Sequence, residues 1–180
     1  SLIRAFSSLG SIDDAIQLYG SIVGRGLLPD RFTFPPLFAG LSKIAVLDEG
    51  IQLHGVLIKV GIKADFFTDN SLIHFYSEFG DLESAQKVFD GMCERNVVSW
   101  TSVIIGYSRA GRAAEAVELF KKMLVDGVKP DAAAMVSALS ACAQLRDLEF
   151  GRWVHRLVEE ERICINENLA AALIDMYAKC

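Results

Sequence analysis

The sequence predicts an all-α chain, a right-handed solenoid of stacked antiparallel helix-turn-helix repeats. Three observations predict it. Apolar residues recur at spacings of three and four, as on one face of a helix. Glycine and proline punctuate those runs at near-regular intervals. The same residue types then reappear in fixed columns along the whole chain, the mark of a repeat architecture.

The stretch from Val97 to Asp131 shows the unit most clearly. Trp100, Val103, Ile104 and Tyr107 fall on one helical face, and Ala116, Leu119, Phe120 and Met123 on another, with a break at Gly111-Arg112 between them. Gly127 ends the second helix and Pro130 prevents it from resuming. Two amphipathic helices cannot close a core alone, so the unit needs neighbours to cover it. Those neighbours repeat its columns. A small residue recurs at Ala15, Gly50, Ala85, Ala116 and Gly151. Three positions on stand Leu18, Leu53, Val88, Leu119 and Val154, followed by Tyr19, His54, Phe89, Phe120 and His155. The last column reads Asp30, Asp65, Asn96, Asp131 and Asn166, and by subtraction its spacings are 35, 31, 35 and 35 residues.

Taken in order, unit one runs over 1–30, with Ser11 expected to cap its second helix. Unit two, 31–65, opens Arg31-Phe32-Thr33-Phe34-Pro35-Pro36, where Thr33 is expected to cap and the prolines cost little in a first turn. Unit three, 66–96, has Asp81 as its second cap and is the short one. Units four and five occupy 97–131 and 132–166, with Asp147 as a further cap, and 167–180 begins a sixth. Units one, three and four carry Gly10, Gly80 and Gly111 at the interhelix turn, where units two and five carry Ala45 and Arg146. The turn at Arg162-Ile163-Cys164-Ile165-Asn166 has neither glycine nor proline and is the one that the columns define least. Ser1 falls inside a first helix and the chain stops after another, so the sequence is expected to be a stretch of a longer protein.

Phrases such as Ile104-Ile105-Gly106-Tyr107, Asp126-Gly127-Val128-Lys129-Pro130-Asp131, Leu82-Glu83-Ser84-Ala85-Gln86-Lys87-Val88-Phe89 and Leu173-Ile174-Asp175-Met176-Tyr177-Ala178-Lys179-Cys180 resemble the pentatricopeptide repeat family. The alternation of lengths resembles its plant subclass of P, L and S repeats. That resemblance implies P repeats at 1–30 and 97–131, L repeats at 31–65 and 132–166, an S repeat at 66–96 and the start of another at 167–180. The W-x-x-L-G-x-x-Y pattern of tetratricopeptide repeats is absent.

Composition limits the other classes. Hydrophobic residues make up 52%, which burial of both helices of every unit accounts for, and no apolar run reaches the roughly 18 residues of a membrane span. Cys93, Cys142, Cys164 and Cys180 lack zinc-ligand spacing, so no metal or cofactor is expected. His54 and His155 share an aromatic core column and read as packed histidines, and His74 as a surface residue. Glu115, Glu118 and Glu159 to Glu161 read as solvated faces. A deaminase-like tail would need H-x-E and C-x-x-C, and neither occurs, nor does a Walker loop or G-x-S-x-G, so this stretch is not expected to be an enzyme. The net charge of −5 offers no general attraction for phosphate.

The resemblance implies single-stranded RNA binding, one base per repeat, read by the fifth and last columns. Thr101 with Asp131 is then expected to favour G, and Asn70 with Asn96 a pyrimidine, C more than U. Asp30, Asp65 and Asn166 complete the reading set, although Pro35 and Val136 at the fifth column offer no hydrogen bond. The second column, Phe32, Phe67 and Val98, is expected to grip bases, and Lys43, Arg109 and Lys179 to track the backbone. Asp30 and Asp131 also fit a plain turn or cap role. The implied setting is an organellar factor for RNA processing or C-to-U editing, in mitochondrion or chloroplast, with editing-complex proteins as further partners. The competing expectation is a protein-interaction scaffold, which the acidic charge favours.

Overall fold

The computed structural model describes residues 12–27, 29–30, 32–61 and 65–180. The expectations for Ser11, Gly10 and the first helix of unit one lie outside them. Among the described residues there are ten α-helices and no strand. They are α1 Ile12–Gly24, α2 Phe34–Lys43, α3 Leu47–Val60, α4 Phe66–Glu78, α5 Leu82–Gly91, α6 Val97–Arg109, α7 Ala113–Val125, α8 Ala132–Leu145, α9 Leu148–Glu160 and α10 Glu167–Lys179. The chain divides into two compact units, one ending at Cys93 and the other starting at Glu94.

In the first unit, α2 packs against α1, α3 and α4, and α4 against α5. Its core is aromatic: Phe34, Phe38, Phe75 and Phe89 are all fully buried. In the second, α6 packs on α7 and α8, while α8 also meets α7, α9 and α10. Trp100, Val103, Ile104, Phe120 and Met123 are buried there, each from a periodic position of its helix. The fold is thus an all-α solenoid, and within each compact unit the helical pairs cover one another's apolar faces.

The interhelix turns share one geometry whatever residue they hold. The amide after the turn bonds a carbonyl five residues back: Val46 to Leu41, Asp81 to Tyr76, Arg112 to Tyr107 and Asp147 to Cys142, at 2.9–3.2 Å. This closure needs a left-handed residue before it. Gly80 (φ 73°) and Gly111 (φ 75°) supply it, and Ala45 (φ 57°) and Arg146 (φ 56°) are held in the same region despite their Cβ atoms. The Arg162 turn, without glycine or proline, closes in the same way. Arg162 takes φ 54° and Ile163 N bonds Val158 O at 3.0 Å, matching Val128 N to Met123 O at 3.1 Å. The hydrogen-bonded closure, and not the residue type, fixes the backbone there.

Caps follow the sequence with one correction. Asp81 accepts from Ser84 N and Asp147 from Phe150 N, both at 3.0 Å. Thr33 stands at the cap position of α2 but makes no cap bond. A cap accepts from the second or third helical N–H, and those residues are Pro35 and Pro36, which have none. The Thr33 hydroxyl donates instead to Asp30 Oδ1 at 2.7 Å. The deficit of the short unit falls in its second helix, since α5 has 10 residues where α7 and α9 have 13.

Candidate nucleic-acid interface

The first helices α4, α6, α8 and α10 each begin with a short polar residue whose side chain satisfies an orphan N–H. Asp65 accepts from Thr68 N at 3.0 Å, Asn96 from Ser99 N at 3.0 Å, Asp131 from Ala134 N at 2.8 Å and Asn166 from Leu169 N at 2.9 Å. Asn96 belongs to a reciprocal box, its own N–H donating to Ser99 Oγ at 3.0 Å. Asp30 instead closes a turn, accepting from Phe32 N at 3.0 Å. The last column is therefore a column of turn and cap residues, placed where one oxygen is spent on the backbone.

In the second unit Asp131 does more than cap. Its Oδ1 also accepts from Thr101 Oγ1 at 3.2 Å, joining two sequence positions 30 residues apart. The cap bond and the threonine bond both use Oδ1, which leaves Oδ2 without a hydrogen bond among the described residues. Thr101 is buried and Asp131 exposed, and Asp131 lines a depression.

That depression is a groove of about 770 Å³ along α6, α8 and α10. Arg109, Asp131, Val136, Asn166, Ala171 and Asp175 line it. Its floor is made of small side chains of α8, Ala132, Ala133, Ser137 and Ser140. Ser137 Oγ returns to Ala133 O at 2.9 Å, and Gln144 Nε2 donates to Ser108 O at 3.2 Å, stitching α8 to α6 beside the groove. Arg109 is exposed at the groove, while Lys179 pairs with Asp175 at 2.8 Å. Val98 is half exposed at the start of α6. Sequence reading missed Asp175 and the small-residue floor; the alanine run was the available signal for the floor.

The first unit places its candidates separately. Phe32 and Phe67 are 60% and 58% exposed, a state that costs solvation for a phenyl ring. Phe66 lies against Phe67 with ring centroids 4.1 Å apart. Asn70 is half-buried, and its Oδ1 meets no donor among the described residues. Beside it, Asp69 is pushed up to about 6 by burial and by the neighbouring Asp65 charge. Lys43 is exposed at the end of α2.

The remaining titratable groups behave structurally. His74 is exposed near Glu78. Burial lowers the His54 pKa, since it disfavours the charged imidazolium. Cys142 is fully buried, and its thiol is pushed up to about 12 by burial, Asp147 and Cys180, so it is no nucleophile. Among the described residues no group of His, Cys, Asp and Glu could hold a metal ion.

Comparison with known proteins agrees with this architecture. The PPR repeat family profile matches residues 95–144, and the PPR repeat profile residues 1–27 and 70–97, together more than half of the chain. Pentatricopeptide repeat-containing protein At3g22690 of Arabidopsis thaliana is 46% identical over 100% of this chain. A second Arabidopsis relative, At1g11290, chloroplastic, is 35% identical over 100% of it. The chain spans 22% of the length of each. Among solved structures, the maize protein PPR10 bound to an 18-nt psaJ RNA element superposes with a TM-score of 0.82 at 20% identity, over 98% of this chain and 26% of that one. The PPR domain of Arabidopsis protein-only RNase P 1 in complex with tRNA gives 0.81 at 14% identity, over 98% and 95%.

Proposed function

The chain belongs to the pentatricopeptide repeat family, and from that premise we propose that it binds single-stranded RNA, one base to each helical pair. The hydrogen bond from Thr101 to Asp131 carries the reading. A hydroxyl has one proton and two lone pairs, and an ionised carboxylate only accepts. With the Thr101 proton spent on Oδ1, the hydrogen-bonding capacity left to this pair is acceptors: the threonine lone pair and Asp131 Oδ2. Two neighbouring acceptors match a base edge with two neighbouring donors. Guanine has that edge, in its ring N1–H and exocyclic N2–H. Adenine and cytosine each set a bare ring nitrogen beside their amino group, and uracil has a single N–H between carbonyls. Unit four therefore reads G.

The other positions follow the same chemistry. Asn96 caps with its oxygen and keeps its amide N–H groups for a base, and Asn70 has a carbonyl oxygen still to satisfy. Val136 and Pro35 offer no side-chain hydrogen bond, so their units discriminate weakly. Phe32, Phe67 and Val98 supply exposed apolar surface against base faces, and Arg109, Lys43 and Lys179 meet phosphates. The alternation of 35- and 31-residue units supports P, L and S repeats within a longer organellar factor for RNA processing or C-to-U editing. The chloroplastic and mitochondrial designations of relatives support that location.

The net charge of −5 supports the second reading, a protein-interaction scaffold. Titration of labelled single-stranded RNA and DNA of randomised sequence separates the two. RNA binding that weakens with salt and enriches particular sequences supports the first reading. Absent or sequence-independent binding supports the scaffold.

A further inference from the structure

Four positions correspond at a single interval of 101, by subtraction: Gly50 and Gly151, His54 and His155, Phe75 and Met176, Tyr76 and Tyr177. Each set meets across one helix–helix seam, the first between α3 and α4, the second between α9 and α10. A Cβ on Gly50 would overlap the Phe75 ring, and one on Gly151 would stand 2.5 Å from Met176 Sδ. One turn further on, His54 Nδ1 lies 2.8 Å from Tyr76 Oη, and His155 Nδ1 lies 2.9 Å from Tyr177 Oη. The ring pairs have nearly the same geometry, with centroids 5.6 and 5.8 Å apart.

The remaining seams within each compact unit place the bulk the other way round. Ala116 and Phe120 on α7 correspond to Ala141 and Cys142 on α8, and Ala15 and Tyr19 on α1 to Gly40 and Leu41 on α2. There the ring belongs to the second helix of a pair, and the following helix offers small or slender residues. In the glycine–histidine seams the ring belongs to the following helix. The two kinds exclude each other by volume and by hydrogen bonding. A helix carrying Phe120 in place of His54 would compete with Phe75 and Tyr76 for one space. A glycine–histidine helix set against Ala141 and Cys142 would leave a void and an imidazole without its phenol.

We propose that Gly50 with His54, and Gly151 with His155, form a docking surface that accepts as neighbour only a first helix bearing a bulky apolar residue followed by tyrosine. The occupant is the first helix of the next repeat, and the surface fixes which kind of repeat follows which. If the RNA reading above holds, it also fixes the order in which selective and unselective units meet the bases. The docking claim itself does not depend on RNA.

The test is a swap of seam type in the full chain, read by urea unfolding. One half-swap is Gly50→Ala with His54→Phe, the other Phe75→Ala with Tyr76→Leu, and the full swap combines all four. Each half-swap is expected to lower the folding constant at least about tenfold, and the full swap to regain most of that loss, the non-additivity expected of residues in contact. Losses that simply multiply in the full swap, or a full swap that does not fold, overturn the proposal. Should the half-swaps fail to fold, Tyr76→Phe and His54→Phe give a gentler cycle. The double variant is then expected to be no less stable than either single, and multiplying losses overturn the proposal here too.

Discussion

Exchanging alanine and glycine at the interhelix turns isolates one physical cost. At Gly111 a built Cβ would meet no atom within 4 Å, so Gly111→Ala introduces no clash. What remains is the backbone, held at φ 75°. An L-residue pays about 1–2 kcal/mol in the left-handed region, and replacing glycine returns about 0.4–1 kcal/mol by restricting the unfolded chain. The net loss is about 1 kcal/mol. Ala45, at φ 57° in the corresponding turn, gives the mirror experiment, and Ala45→Gly should gain a similar amount. With a urea slope of about 2 kcal/mol per M, the midpoints should move by about 0.5 M, downward for Gly111→Ala and upward for Ala45→Gly. Circular dichroism at the helical band follows both. A loss of stability in Ala45→Gly would refute the claim that the turn geometry, imposed by its closing hydrogen bonds, strains the alanine.

Two further perturbations test the core and the half-buried charge of Asp69. Phe120→Ala should destabilise by about 3–5 kcal/mol, since the ring is fully buried in the second unit; urea melts matching the wild type would contradict its place in the core. Asp69→Asn should stabilise the protein at pH 7 by about 1–2 kcal/mol. The carboxyl is raised to about 6, and its partial exposure discounts the full value of such a shift. The sign follows from the raised folded pKa. The favourable protonated form is complete below about pH 4 and lost as pH rises through 6, so the gap between variant and wild type should close at acid pH. A gap independent of pH would remove Asp69 from that role.

Much of the fold could be read from the sequence because one column is one environment. Trp100, Ile104, Phe120 and Phe89 are buried where the periodicity put them. Thr33 failed as a cap for a reason also present in the sequence, the two prolines that withhold the N–H groups it would bind. Ala45, Arg146 and Arg162 were legible as turns by column and illegible by residue type, because tertiary closure overrides their preference for negative φ. Asp69 was invisible. It stands in the column of Phe34, Trp100 and Met135, all fully buried, and nothing local marks it as a charge in a core position. The partners of the two histidines lay 22 residues away, and only the 101-residue interval brings those tyrosines into view. At the groove, the polar columns were readable, but the sharing of Asp131 Oδ1 between a cap and Thr101 was not. That depends on a side-chain contact across helices.

The central claim is that Asp131 reads a base as well as capping α8, and Asp131→Asn tests it most directly. Asparagine caps as well as aspartate, and Asn96 and Asn166 do so in this chain. The substitution therefore keeps the bonds at Oδ1 and replaces Oδ2 with a donor. Wild type and variant are titrated against RNAs in which each position is varied in turn among the four bases. The account predicts unchanged stability and a change at one position alone. There the preference should move from G toward A, by about 1–3 kcal/mol on the scale of base-edge discrimination. The same rank order of bases for both proteins at every position would contradict it and leave Asp131 a cap.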